Sequence, residues 1–196
     1  SMPLAARMRP QTLDDIIGQP DLTHPDSAFR KAAEAGKLGS IILWGPPGVG
    51  KTTLADILAR LSGSNIAKVS AVQAGVPELR KIIDQARRAL RERVRTVLFI
   101  DEIHRFNKAQ QDAILPVVED GTITLIGATT ENPSFEVNSA LLSRARVFVL
   151  QPLTDEDILE VIDRALSDDK GLRANFEPEA KALIVNLANG DARAAL

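Results

Sequence analysis

The tightest constraint on this chain lies between residues 40 and 61. Ser40-Ile-Ile-Leu-Trp44 is a short apolar run, Gly45-Pro-Pro-Gly-Val-Gly50 follows it at once, and Thr53-Leu-Ala-Asp-Ile-Leu-Ala-Arg-Leu61 then carries apolar residues at helical spacing. The order is strand, glycine-rich loop, helix. A strand that is apolar on both faces and passes directly into an amphipathic helix belongs in a parallel sheet covered on both sides.

The rest of the chain repeats that alternation. A second strand is expected near Ile66 to Ser70. Pro77 opens a helix whose Leu79, Ile82, Ile83, Ala86 and Leu90 share a face. Thr96-Val-Leu-Phe-Ile100 is a third strand, Asn107 caps a helix running toward Glu119, and Thr122 to Gly127 is a fourth strand. Asn138 caps a short helix to Arg144, and Val147 to Leu150 is a fifth strand. The fold class is therefore α/β: a three-layer sandwich around a central parallel five-stranded sheet with right-handed crossovers. After Pro152 the pattern is helical only, with a capping-box-like start at Thr154-Asp-Glu-Asp157 and Pro178 opening another helix. Two units are expected, a core over residues 1–151 and a small all-α unit over 152–196. The second is expected to be truncated, because the last residues before Leu196 carry no helix stop signal. Ser1 before Met2 reads as a remnant of tag removal. No internal repeat or low-complexity segment is visible.

Composition narrows the chemistry. With no cysteine there is no disulfide and no thiolate zinc site, and His24 and His104 are too far apart to form a ligand pair, so any metal must be held by oxygen. A formal net charge of -2 argues against a wholly basic nucleic-acid coat and confines such contacts to a local patch. No stretch approaches the roughly 18 apolar residues of a membrane span, and the N-terminus lacks the apolar run of a secretory signal. The expectation is a cytoplasmic, nucleoid-associated protein with no membrane partner.

In Gly45-Pro46-Pro47-Gly48-Val49-Gly50-Lys51-Thr52, the glycines let amide N–H groups turn inward, and the helix start faces anionic oxygens. Lys51 reaches the β- and γ-phosphates of a nucleotide, and the Thr52 hydroxyl is a ligand for Mg²⁺. Thr53 completes the set expected around the phosphates. The strand Val97-Leu-Phe-Ile100 ends in Asp101-Glu102, at the sheet edge where parallel α/β folds place ligands. Asp101 can hold Mg²⁺, directly or through water, and Glu102 can polarise the attacking water. Together these are the parts of an ATP-hydrolysing site with Mg²⁺ as cofactor.

Asp101-Glu-Ile-His104 also fits the acidic box of two-lobed helicases, but those need a second α/β lobe, and only helices follow the fifth strand here. The sequence instead resembles the AAA+ superfamily. Within it the chain is similar to the replication-associated recombination protein A group, which includes the Werner-helicase-interacting protein and is related to clamp loaders. The marks are Pro3-Leu-Ala-Ala-Arg-Met-Arg-Pro10, Ile17-Gly-Gln19, Leu43-Trp-Gly-Pro-Pro47, Asp101-Glu-Ile-His-Arg-Phe-Asn107, Gly127-Ala-Thr-Thr-Glu-Asn-Pro-Ser-Phe135 and Ser139-Ala-Leu-Leu-Ser-Arg144.

The resemblance implies roles residue by residue. Arg9, Pro10, Ile16, Ile17 and Gly18 would form the purine pocket. Thr129 or Thr130, with Thr130 favoured and Asn132 as competitor, would be sensor 1, the polar side chain between the acidic pair and the γ-phosphate. Asparagine, the commonest residue there in AAA+ proteins, is absent. Arg144, or Arg146 as alternate, would be a finger entering the adjacent subunit's site. Arg193 in Gly190-Asp-Ala-Arg193 would be sensor 2 on a lid helix. A site shared in this way implies a homo-oligomeric ring or arc. The resemblance further implies work on DNA at stalled or damaged replication forks, with single strands, forks or ends as substrate and a single-strand-binding protein as partner. A clamp-loader subunit and a Holliday-junction branch-migration motor are the competing enzymes. A nucleotide-gated scaffold with little turnover is the competitor from another class. The residues from Glu78 to Arg95 hold seven basic side chains against three acidic ones, which is either a solvated face or a phosphate contact.

Overall fold

The computed structural model describes residues 2–196; Ser1, with its reading as a tag remnant, lies outside the described residues. Along the chain run α1 (Leu4–Arg7), α2 (Pro20–Thr23), α3 (Ala28–Glu34), β1 (Ile41–Trp44), α4 (Lys51–Leu61), β2 (Asn65–Ser70), α5 (Val76–Arg91), β3 (Thr96–Asp101), α6 (Lys108–Glu119) and β4 (Ile123–Thr129). Then come α7 (Pro133–Glu136), α8 (Ser139–Leu142), β5 (Arg146–Val149), α9 (Asp155–Ser167), α10 (Pro178–Ala188) and α11 (Ala192–Ala195), with short 3-10 turns at Leu13–Asp15 and Ile103–Arg105.

The strands form one sheet in the order β2-β3-β4-β1-β5, every pair parallel. Alternate side chains along each strand enter opposite layers, as the pleat requires. Ile41, Leu43, Val97, Phe99, Ile126 and Ala128 pack with Phe29 of α3 and with Leu54, Ile57 and Leu58 of α4. Ile42, Leu98, Ile100, Ile123 and Leu125 pack with Leu79 and Ile83 of α5, Ile114 and Val117 of α6, and Leu141 of α8. The three-layer sandwich expected from the apolar runs is thus the observed architecture.

The sequence reading departs from the structure at the two edges. β1, β3 and β4 are buried almost throughout, but β2 is only part-covered and β5 is largely exposed. Edge strands lack a neighbour on one side, and Arg146, Val147 and Val149 are left at the rim. β4 also runs two residues further than the apolar count suggested, carrying Thr129 into the sheet. Helix starts were legible from their caps. Asn107 with Gln110, and Thr154 with Asp157, both form the reciprocal capping box, and Pro178 stands in the first turn of α10. The short helices α1 to α3 and α7 carry too little periodicity to be read.

Helices α9 to α11 pack on one another, and Leu153, Ile158, Ile162, Leu166, Val185 and Ala188 join the same apolar cluster as Leu43 and Ile57. Two amide contacts tie this helical unit to the sheet side. The buried Gln19 donates through Nε2 to the Gln151 carbonyl at 2.9 Å and accepts the Gln151 N–H at 2.9 Å. At the other end the Ala192 N–H donates to the Gly48 carbonyl at 3.1 Å. No helix among the described residues is long and apolar enough to cross a membrane.

Candidate functional site

The site begins where β1 gives way to α4. Pro46 and Pro47 have no N–H to donate, and Gly50 at φ 104° makes a left-handed turn into the helix that a side chain would oppose. The N–H groups of residues 48 to 53 have no backbone acceptor among the described residues. They form a row of unsatisfied donors at a helix start, where the helix dipole also favours negative charge. The loop is pinned from behind, because the Gly45 N–H donates to the Thr129 carbonyl at 3.1 Å. The Lys51 ammonium folds back across the loop, donating to the carbonyls of Gly45 and, at 2.8 Å, Pro46.

A cavity of about 360 Å³ opens over this loop. Of the residues singled out in the sequence, it gathers Arg9, Pro10, Ile16, Ile17, Pro47, Gly48, Val49, Gly50, Lys51, Thr52, Thr53, Asp101, Glu102, Thr129, Thr130 and Arg193. Gly18, Gly45 and Pro46 are not on its wall. Gly18 instead lets Leu153 and Asp157 approach its backbone, where a Cβ would come within 2.5 Å of the Leu153 side chain. Its place is where the N-terminal segment packs on the start of α9.

Asp101 and Glu102 stand at the end of β3, both exposed to the cavity. Glu102 sits at φ 54° and ψ 46°, a left-handed conformation that is uncommon for a residue with a side chain. Its N–H donates to Asp101 Oδ1 at 3.0 Å. No cluster of three or more acidic, histidine or cysteine side chains that could hold a metal by itself occurs among the described residues. The Thr52 hydroxyl and the Asp101 carboxylate share the cavity and fit Mg²⁺, which takes one or two protein oxygens and completes its shell with phosphate and water.

The two threonines at the end of β4 differ sharply. Thr129 is 1% exposed, and its hydroxyl lies 2.9 Å from His104 Nδ1 and accepts the Glu131 N–H at 3.0 Å. Thr130 is exposed and lines the cavity. Asn132 caps α7 through the Ser134 N–H at 3.0 Å and is not on the cavity wall.

Arg144 lies outside the chain's own cavity. It is exposed, with Nε 2.8 Å from Glu119 Oε1 and Nη1 donating to Ser143 Oγ at 2.8 Å. Arg146 is committed elsewhere, donating to the Leu38 carbonyl at 2.9 Å with its guanidinium 5.6 Å from the Phe148 ring centre. Sequence reasoning missed the cavity wall supplied by Ala5, Met8, Asp15, Leu153, Val161 and Arg164. Arg164 donates to the Asp15 carbonyl at 3.0 Å and pairs with Glu160 at 2.8 Å, so its spacing alone reads as an ordinary surface pair.

Residues 8–148 match the family described as the Holliday junction DNA helicase RuvB P-loop domain. The chain belongs to this family of AAA+ P-loop ATPases. It is similar to the replication-associated recombination protein A of Escherichia coli K12, 54% identical over 198 residues covering 99% of this chain and 44% of that protein. It is also similar to the ATPase WRNIP1 of Dictyostelium discoideum, 49% identical over 197 residues covering 99% of this chain and 22% of that protein. The chain therefore spans less than half the length of these relatives. A solved RuvB Holliday junction branch migration motor of Thermotoga maritima superposes with a TM-score of 0.78 at 33% identity, covering 96% of this chain and 63% of that one.

The electrostatics of a RuvB-like phosphate loop give a pH dependence. Burial pulls the Lys51 ammonium down to about 8; Asp101 and Asp191 oppose the shift and Arg193 adds to it. Phosphate oxygens favour the charged ammonium and raise its pKa on binding, so nucleotide binding takes up a proton above pH 8 and weakens as pH rises. Going from pH 7 to pH 9 raises the Kd for a nucleoside triphosphate by about tenfold. Titration calorimetry across that range checks this, and a Lys51→Met variant gives a flat profile.

Proposed function

We propose that the protein is a Mg²⁺-dependent ATPase whose site is completed by the neighbouring copy's Arg144, and that hydrolysis drives conformational work on DNA at stalled or damaged replication forks. The observation that carries this reading is a separation. Lys51, Thr52, Asp101, Glu102, Thr130 and Arg193 meet in one cavity, while Arg144 stands on the outer surface of the same chain.

In this reading the free N–H groups of the loop and the Lys51 ammonium bind the β- and γ-phosphates. Thr52 and Asp101 would hold Mg²⁺, which supplies charge neutralisation at the phosphate oxygens when bound. Glu102 polarises a water for in-line attack on the γ-phosphorus and takes its proton as the bond to the β-phosphate oxygen breaks. Thr130 orients the water or the γ-phosphate, and the neighbouring copy's Arg144 neutralises the charge that gathers on the transferred group. Arg193, on a helix joined to the loop through Ala192 and Gly48, loses a partner when the γ-phosphate leaves. That loss can rotate the helical unit against the sheet and shift the adjacent subunit. The division into a core over 1–151 and a lid over 152–196 belongs to this proposal. The intact acidic pair, lysine and arginine favour turnover over a nucleotide-gated scaffold.

RuvB-like AAA+ proteins assemble and act on DNA, and the names of the relatives supply the recombination context. The likeness to a branch-migration motor favours junction DNA as the second reading. Within the chain the contact surface we assign to DNA is α5 and the turn after it. Arg80, Lys81, Arg87, Arg88, Arg91, Arg93 and Arg95 are all exposed, and among the described residues only Arg87 meets a carboxylate, Asp84 at 3.9 Å.

Replacing Glu102 with Gln lowers turnover by about 10²-fold or more while leaving ATP affinity within about twofold; parental turnover in a steady-state assay would remove the role assigned to Glu102. Arg144→Ala lowers turnover by about 10³-fold, and mixing it with Lys51→Ala restores part of the rate, since a mixed pair forms one complete site. A mixture as inactive as its components would show that Arg144 does not act across subunits. DNA affinity, followed by anisotropy, falls steeply between about 50 and 200 mM salt, and neutralising Arg80, Lys81 and Arg88 flattens the slope by about one unit for each phosphate left without its cation. A salt slope unchanged by those substitutions would move the DNA surface elsewhere.

A further inference from the structure

His104 joins the two loops that carry the reacting groups. It stands two residues after Glu102 in the turn Ile103–Arg105, and its Nδ1 lies 2.9 Å from the Thr129 hydroxyl at the end of β4. That hydroxyl also accepts the Glu131 N–H at 3.0 Å, and the Thr129 carbonyl accepts the Gly45 N–H at 3.1 Å. One buried threonine therefore connects the acidic turn, the chain on either side of Thr130, and the first residue of the phosphate loop.

The need for such a tie lies in the backbone of Glu102. A side-chain-bearing residue in the left-handed region stays there only where its surroundings fix it. One anchor is Ile103, which is 1% exposed and packed so closely on Gly127 that a Cβ there would come within 2.7 Å of its Cδ1. The second anchor is the His104–Thr129 hydrogen bond. Ile103 and His104 do not line the cavity, whereas their neighbour Glu102 and their partner's neighbour Thr130 do.

We propose that His104 is a positioning residue for hydrolysis, bonding to Thr129 so that the Glu102 carboxylate and the Thr130 hydroxyl are held in register across the cavity. This rests on the reading of Glu102 as the group that activates water. Nucleotide binding, which depends on the loop amides and Lys51, does not need that register.

The test uses the complete natural protein that contains these residues, with kcat measured by steady-state ATPase assay and affinity by titration of a fluorescent ATP analogue. His104→Ala lowers kcat about tenfold with affinity changed by less than about twofold. His104→Asn, whose side-chain amide reaches the position of Nδ1, recovers most of the rate. Thr129→Val gives a loss similar to His104→Ala, and the double variant is no slower than either single one, because both remove the same bond. Additive losses, a loss confined to ATP affinity, or a parental rate for His104→Ala would overturn the proposal. If His104→Ala does not fold, as judged by its thermal transition, the Asn variant and Thr129→Ser must still keep the parental rate. The Glu102→Gln protein run alongside separates the two readings. If it is inactive while His104→Ala is parental, only the positioning role fails; if it turns over normally, the catalytic reading fails and takes this one with it.

Discussion

Everything in the site is arranged around a row of amide N–H groups that have no carbonyl to bond. Helix starts always leave such donors, but most are answered by a capping side chain or by water. Here Gly50 precedes the first helical residue and offers no side chain to cap with, while Pro46 and Pro47 stiffen the approach. β1 delivers this loop to one end of the sheet, and β4 beside it and β3 beyond that deliver Thr130 and the acidic pair to the same end. Ile16, Ile17 and side chains after residue 152, Leu153, Val161 and Arg193 among them, line the rest of the cavity. Backbone N–H donors, the side chains of Thr52 and Thr130 and two carboxylates converge because a parallel sheet ends all its strands on one side.

Much of this was legible because it is local. Strand, loop and helix around residue 45 follow from periodicity and the loop glycines, and the caps at Asn107 and Thr154 are short patterns in neighbouring residues. What was not legible is whatever joins residues distant in sequence. Gln19 and Gln151 exchange two hydrogen bonds across 132 positions, and neither glutamine differs in its sequence neighbourhood from one facing solvent. The positions of Gly18 and Arg164 are of the same kind, each set by the way α9 settles on the N-terminal segment. The exposed faces of β2 and β5 escaped because burial depends on strand order, which apolar content does not encode.

The candidate residues differ in what each side chain is already bonded to. Thr129 spends its hydroxyl on Glu131 and His104, Asn132 spends its oxygen on a helix start, and Arg146 is spread over Phe148 and a backbone carbonyl. Thr130 and Arg144 are left with their polar ends toward open space or toward an exchangeable surface partner. A chain that must respond to a ligand needs groups of the second kind, held in place by groups of the first.

Gly48 shows how two demands can fall on one atom. Its backbone turns at φ 74° beside the phosphate donors, and a Cβ there would collide with the Asp191 carboxylate, where the cap of α11 rests on the loop. The missing side chain is therefore a socket for the C-terminal helices as well as clearance for an anion. A descendant that lost its appetite for nucleotides would still be obliged to keep glycine at this position, so its persistence in a degenerate copy would testify to packing and not to chemistry.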